Sequence, residues 1–221
     1  QLLLMKCSMN PKFSIVITTF NRASLLPRAL DSLLAQSCKN WEGWVIDDGS
    51  TDETRQMITT YLGKGYPLQY IFQENRGEAQ AKNRGVAMSQ GEYISFLDSD
   101  DEYEPRHLES RQNILSENPD IALLHGGVRV VGDPFVPDLY NPGKKIHIDE
   151  CVVGSTFFFR RACVFSVGGF NPMSIGSDVD LFSRTQRAGY SILKTDIPTY
   201  IYHRTNLDSI THKFWEHINK K

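Results

Sequence analysis

The chain has 221 residues, 40% of them hydrophobic, and carries 24 basic against 26 acidic side chains. That length and composition support one large domain or two small ones with a full core, and the near-neutral balance leaves no electrostatic footprint for a nucleic-acid polymer. No run approaches the ~20 apolar residues of a membrane span, and Gln1 to Met5 holds too few for a signal peptide. Cys7, Cys38, Cys151 and Cys163 are widely spaced, with no close pair of the kind a zinc or redox motif uses. They read as reduced thiols of a cytoplasmic protein. Peripheral contact at the inner face of a membrane stays open, since a soluble enzyme can act on a lipid-linked substrate.

In chain order, Phe13 to Thr19 is a β-branched run of strand length, and a helical pattern follows through Leu25, Leu26, Leu30, Leu33 and Leu34. Trp44 to Asp48 is a second strand. Ser50 with Glu53 three residues on forms a capping box that opens a helix to about Tyr61. Leu68–Phe72 reads as a third strand, Glu78–Ser89 as a helix and Tyr93–Leu97 as a fourth strand. This alternation predicts a mostly parallel sheet with helices on both faces, whose ligand lies outside the carboxyl ends of the strands.

The second half is less regular. Pro105–Asn118 is a predicted helix, Ile121–Val131 a strand or hairpin arm, and Asp133–Lys145 a loop with Pro134, Pro137 and Pro142. Val152–Arg160 is an apolar strand, and Asp178–Ala188 a helix ending at Gly189. No linker separates the halves, so residues 11–205 form one domain of two functional halves that meet at about 101, with a tail at 206–221. His107, His147, His212 and His217 read as surface residues, while His125 packs in the fold. Trp215 sits in a short amphipathic helix that could touch a membrane or an acceptor but more often packs on its own domain.

The most informative stretch is Tyr93 to Asp101, a short apolar strand that ends in three carboxylates within four residues, Asp98, Asp100 and Asp101. A buried strand cannot hold that charge inside, so the acids emerge at its tip and require a cation. A hard divalent ion, Mn2+ or Mg2+, takes oxygen ligands and usually shares them with the phosphates of a substrate. The turns after the first two strands, Thr19 to Arg22 and Asp47 to Ser50, fall at the same edge.

Taken in order, Ser14 to Arg22, Val45 to Asp52, Asn75-Arg76-Gly77, Ala81 to Gly85, Phe96 to Asp101 and Gly168 to Asn171 resemble the family 2 glycosyltransferases, inverting enzymes of GT-A fold. The resemblance runs from about Pro11 to His203. It implies a nucleotide-diphosphate sugar donor, UDP- or dTDP-linked, and a saccharide or lipid-linked acceptor, as in surface polysaccharide biosynthesis. On these positions Thr18, Phe20 and Arg22 would curve under the base, Asp48 would accept its N3 hydrogen, and Arg84 would face the diphosphate. Asp98 and Ser99 would approach the ribose, and Asp100, the second acid of the DxD motif, would hold Mn2+ or Mg2+ with His203. Asp47 reads equally as a helix cap, and Asp101 equally as a cap near Pro105 or as support behind the other acids.

An inverting transfer needs a base on the acceptor side, and the family usually opens a helix there with a Glu-Asp pair. Here Ser177 precedes Asp178, so Asp178 matches the base while the preceding acid is replaced. Asp178 reads otherwise as a first-turn residue with Ser177 as N-cap, and Asp180 is a secondary candidate. Gly154-Ser155-Thr156 and Gly168-Gly169-Phe170 either shape the sugar pocket or are tight turns. Two alternatives remain: a sugar-1-phosphate nucleotidyltransferase, against which Thr19 to Ser24 lacks a glycine-rich loop, and an inactive carbohydrate-binding relative.

Overall fold

A computed structural model describes residues 11–141, 143–173, 175–205 and 209–219. The first half follows the expected alternation: β1 (Phe13–Thr19), α1 (Leu26–Leu34), β2 (Trp41–Asp47), α2 (Thr54–Thr59), β3 (Leu68–Phe72), α3 (Glu78–Met88) and β4 (Tyr93–Phe96). Then come β5 (Glu102–Tyr103), α4 (His107–Glu117), β6 (Leu123–His125), β7 (Val128–Val131), β8 (Phe135–Pro137) and β9 (Lys145–His147). The remaining elements are β10 (Phe158–Arg160), α5 (Arg161–Ser166), α6 (Ser177–Arg187), β11 (Ile192–Lys194), β12 (Tyr200–His203) and α7 (Ile210–Asn219).

Seven strands form the main sheet in the order β11-β6-β10-β4-β1-β2-β3. Pairings β1–β2, β1–β4, β2–β3 and β6–β11 are parallel, and β10 runs antiparallel between β4 and β6. Side chains alternate across the pleat. Phe13, Ile15 and Ile17 pack with Leu26, Leu30 and Leu33 of α1 and with α4 on one face. Val16, Ile46 and Phe96 pack with α3, α5 and α6 on the other. The mostly parallel, doubly covered sheet is as expected.

Four element expectations are corrected. Ile121–Val131 is two strands in different sheets, because Gly126 and Gly127 take left-handed φ of 92° and 75° and break it. A side chain at Gly127 would lie 2.1 Å from the Ile197 carbonyl. The proline-bearing segment 133–145 is no plain loop, since β8 and β9 form a hairpin pairing Phe135 with His147. Of the stretch 152–160 only Phe158–Arg160 pairs as a strand, as Gly154–Thr156 coils into a 3-10 turn. Ser50 does not cap α2, which begins at Thr54 with the Asp52 carboxylate accepting from the Thr54 amide and hydroxyl.

Candidate active site

The loops after β1 and β2 are laced together. Asn21 adopts a left-handed φ of 53°, its side-chain Oδ1 accepts from the Thr51 and Asp52 amides, and its backbone amide donates to Ser50 Oγ. Asp47 accepts from the Ser50 amide and the Tyr70 hydroxyl, and so holds the turn. Asp48, buried, accepts from Gln73 Nε2 and from the Arg76 and Gly77 amides at 2.7–2.9 Å. Its carboxylate therefore fastens the segment before α3 to the end of β2.

The acidic tip after β4 is buttressed by a small sheet, β5-β12-β7. Asp101 is fully buried and accepts from the Tyr200 hydroxyl and the His203 amide, each at 2.7 Å. It is no exposed helix cap. Burial, with Asp98 and Asp100 nearby, pushes its carboxyl well above the usual range. The same Tyr200 hydroxyl accepts from the Asp98 amide, which joins β12 to the tip. The His203 ring Nε2 lies 2.8 Å from Glu102 Oε1. Burial likewise raises Asp98 to about 6, with Lys82 opposing and Glu78 and Asp100 adding to the shift.

A cleft of about 670 Å³ opens at these strand ends. Thr18, Phe20, Arg22, Asp48, Asp98, Ser99, Asp100, Asp178 and His203 all line it. Arg84 does not: it is exposed, outside the cleft lining. Lys82, two residues earlier on α3 and so on a different face, lines the cleft instead. Lys82 was readable from the i,i+4 pair with Glu78, 2.5 Å away, but a charged residue on a predicted surface helix gave no hint of its burial.

Asp178, which lines the same cleft, lies in the first turn of α6. Its Oδ2 accepts from the Gly154 amide at 3.0 Å and its Oδ1 from the Val179 amide at 2.9 Å. The approach is close enough that a side chain on Gly154 would lie 2.5 Å from Asp178 Cβ. Ser177 is not an N-cap, since α6 starts after Gly176 without a side-chain cap. Asp180 is tied to Arg184 and Asn171 and lies outside the cleft. Gly154 and Ser155 line the cleft, whereas Gly168-Gly169-Phe170 is structural, docked on Asn83 of α3, with Phe170 edge-on to Phe96.

The wall on this side is largely apolar: Val136, Leu139, Ile146, Val152, Ile175 and Phe182. The β8–β9 hairpin that supplies half of it is covered by α7, with Lys145 Nζ 5.3 Å from the Trp215 ring. Among the other histidines, His107 is buried rather than on the surface, stacked on Tyr103 and bonded to Thr199 Oγ1 at 2.8 Å. His125 is buried against Phe182, as expected. Cys38, Cys151 and Cys163 are free thiols, while Cys7, Pro142 and the His217 side chain lie outside the described residues.

The family model for glycosyl transferase family 2 matches residues 14–163, more than half of the chain. The chain belongs to glycosyl transferase family 2. An uncharacterized glycosyltransferase of Rickettsia bellii is 37% identical over 180 residues, 79% of this chain and 25% of that protein. Glycosyltransferase GlyA of Streptococcus pneumoniae is 34% identical over 113 residues, 51% of this chain and 16% of GlyA. The chain spans about a third of the length of the first curated relatives it matches, 36% in three of them.

Among solved structures, S. aureus TarS 1–349 in complex with UDP-GlcNAc superposes with a TM-score of 0.75 at 21% identity, covering 94% of this chain and 64% of TarS 1–349. The mannosyltransferase PcManGT of Pyrobaculum calidifontis, in complex with GDP-Man and Mn2+, gives 0.69 at 20% identity, covering 88% and 57%. These likenesses show the GT-A fold.

Whether this site suits a divalent ion can be judged from its donors. Among the described residues no three acidic, histidine or cysteine side chains are gathered into a ready cage. Magnesium and manganese need none, since one or two carboxylates and substrate phosphates commonly suffice. Asp98 and Asp100 supply oxygen donors in the cleft, and the raised carboxyl of Asp98 is what an adjacent cation would relieve. Among the described residues no helix is long and apolar enough to cross a membrane.

Proposed function

We propose that the protein is a metal-dependent inverting glycosyltransferase that moves a sugar from a UDP- or dTDP-sugar to a hydroxyl of a saccharide or lipid-linked acceptor. The observation that carries this reading is the shared cleft, lined both by the acids after β4 and by Asp178. Thr18, Phe20, Arg22 and Asp48 would border the base. Thr19 Oγ1, buried and without a hydrogen-bond partner among the described residues, adds a group for the base or ribose to meet. Asp98 and Ser99 would face the ribose.

Asp98 and Asp100 would supply carboxylate oxygens to the ion, and His203, which lines the same cleft, would complete its shell once ion and donor are bound. With its Nε2–H donated to Glu102, the His203 ring presents a lone pair at Nδ1, the arrangement usual for a histidine ligand. A bound Mn2+ or Mg2+ would stabilise the departing diphosphate as a Lewis acid.

Asp178 takes the proton of the acceptor hydroxyl as that oxygen bonds to the anomeric carbon from the face opposite the diphosphate, and the pair in the old carbon–oxygen bond leaves with the diphosphate. Two backbone amides fix the Asp178 carboxylate and leave lone pairs for that proton. Ser177, in place of the usual acid, leaves Asp178 alone in this role. The apolar wall beside Asp178 favours an acceptor that carries an apolar group next to its hydroxyl, which suits the lipid-linked class and work at the cytoplasmic face of a membrane.

The test is nucleotide release from a panel of UDP-, dTDP- and GDP-sugars, with Mn2+ or with a chelator, water serving as acceptor. Release that needs both the ion and Asp100 supports the reading. A panel that yields no nucleotide from any donor contradicts it, and turnover of nucleoside triphosphates with sugar-1-phosphates instead favours a nucleotidyltransferase.

A further inference from the structure

Lys82 was not among the expected site residues, yet it is a tightly held cation of the cleft. Its side chain is 8% exposed, with Nζ 2.5 Å from Glu78 Oε1 and 3.8 Å from Asp98 Oδ1. The rings of Phe170 and Phe96 lie 5.5 and 6.0 Å away and leave the ammonium little room to swing out. Burial disfavours its charge, but Glu78, Asp98 and Asp178 outweigh that and keep it protonated. A fixed positive charge therefore sits beside the carboxylate that would meet a divalent ion.

The same oxygens cannot serve both cations fully, and two positive charges a few ångströms apart repel strongly in a sheltered cleft. A diphosphate reverses that balance, since its negative charge is attracted by ion and ammonium alike. We infer that Lys82 is a positioning residue that makes divalent-ion binding conditional on the donor: it occupies Asp98 in the empty cleft, opposes a bare ion, and favours the ion paired with a diphosphate. The inference rests on the metal-dependent reading of this site and adds an order to it, with ion and donor arriving as a unit. Glu78 sets the strength of the effect by sharing the ammonium with Asp98.

The experiment is a Mn2+ titration of the full chain followed by the spin-resonance signal of free Mn2+, alone and with UDP or GDP, so that ion uptake is read without turnover. The wild type is expected to bind bare Mn2+ weakly and to gain at least about tenfold with nucleotide. Lys82→Met should bind bare Mn2+ about fivefold more tightly and lose most of the nucleotide gain, while Lys82→Arg keeps the wild-type pattern. Glu78→Gln, which leaves the ammonium to Asp98, should bind bare Mn2+ more weakly than wild type, and it decides the matter if Lys82→Met fails to fold. A folded Lys82→Met with unchanged or weaker bare-ion affinity overturns the inference alone, as does a Glu78→Gln that binds as well as wild type. No uptake by the wild type with either nucleotide overturns the metal-dependent reading together with this one.

Discussion

The two sides proposed for the cleft, one for the donor and one for the acceptor, are held in different ways. On the donor side, Asn21, Asp47, Asp48 and Ser50 bind backbone amides of neighbouring turns, so several bonds fix each loop at the ends of β1 and β2. On the acceptor side, Asp178 depends on the amide of one distant residue, Gly154, beneath a hairpin of apolar side chains. The donor side is over-determined and should tolerate a lost contact, whereas the acceptor side concentrates its geometry in a single approach. Single changes near Asp178 should therefore disturb chemistry while leaving nucleotide affinity alone.

The sharpest break is expected from Asp178→Asn. Removing a general base lowers kcat by about 10²–10⁴-fold. UDP affinity, measured by calorimetry, should stay within about twofold, because that carboxylate touches the acceptor side only. A parallel loss of UDP affinity would erase the distinction between the two sides.

Gly154→Ala should have the next largest effect. Its new side chain would press on Asp178 and shift the carboxylate, and kcat should fall about tenfold or more with KM for the donor unchanged. A comparable substitution on the donor side, Ser50→Ala, should cost less, since Asp47 and Asn21 keep their other bonds.

Acid should then weaken the fold behind both sides. Burial holds His107 well below the usual histidine range and brings His125 down to about 4. In the unfolded chain both titrate near ~6.5. Below that pH the unfolded chain gains protons first, so stability falls as pH drops, by up to about 1.4 kcal/mol per pH unit for each histidine, and above it the effect vanishes. Asp98, raised to about 6, works in the opposite sense over the same window, because the folded state is protonated first. The clean readout is the difference between wild type and His125→Phe in urea midpoint from pH 7 to pH 5, where the variant should show the shallower decline. The smallest effect belongs to Arg84→Ala, expected within about twofold of wild type in turnover, since that side chain lies outside the cleft.

Much of the donor side was legible because its signals are local. A β-branched strand followed at once by a polar turn places Thr18 to Arg22, and an apolar strand ending in acids places Asp98 and Asp100, without knowledge of distant partners. Helix-face detail was less legible: Arg84 and Lys82 differ by two positions, and only the packing of α3 on β1 and β2 decides which one turns inward. The acceptor side was mostly hidden. Strand β10 was readable as a strand but not as antiparallel, the β8–β9 pairing spans a proline-bearing stretch that scans as loop, and the bond from Gly154 to Asp178 joins residues 24 apart. His107 was misplaced on the surface because its burial comes from Tyr103 of β5 and Thr199, the residue before β12, which are far apart in the chain.

The central claim is that the acids after β4 grip a diphosphate through a divalent ion. Calorimetric titration of UDP into the wild type and into Asp98→Asn/Asp100→Asn, each with and without Mn2+, tests it most directly. The account predicts that Mn2+ tightens UDP binding at least about tenfold in the wild type and has no effect in the double variant. Equal UDP affinity in all four titrations would contradict it.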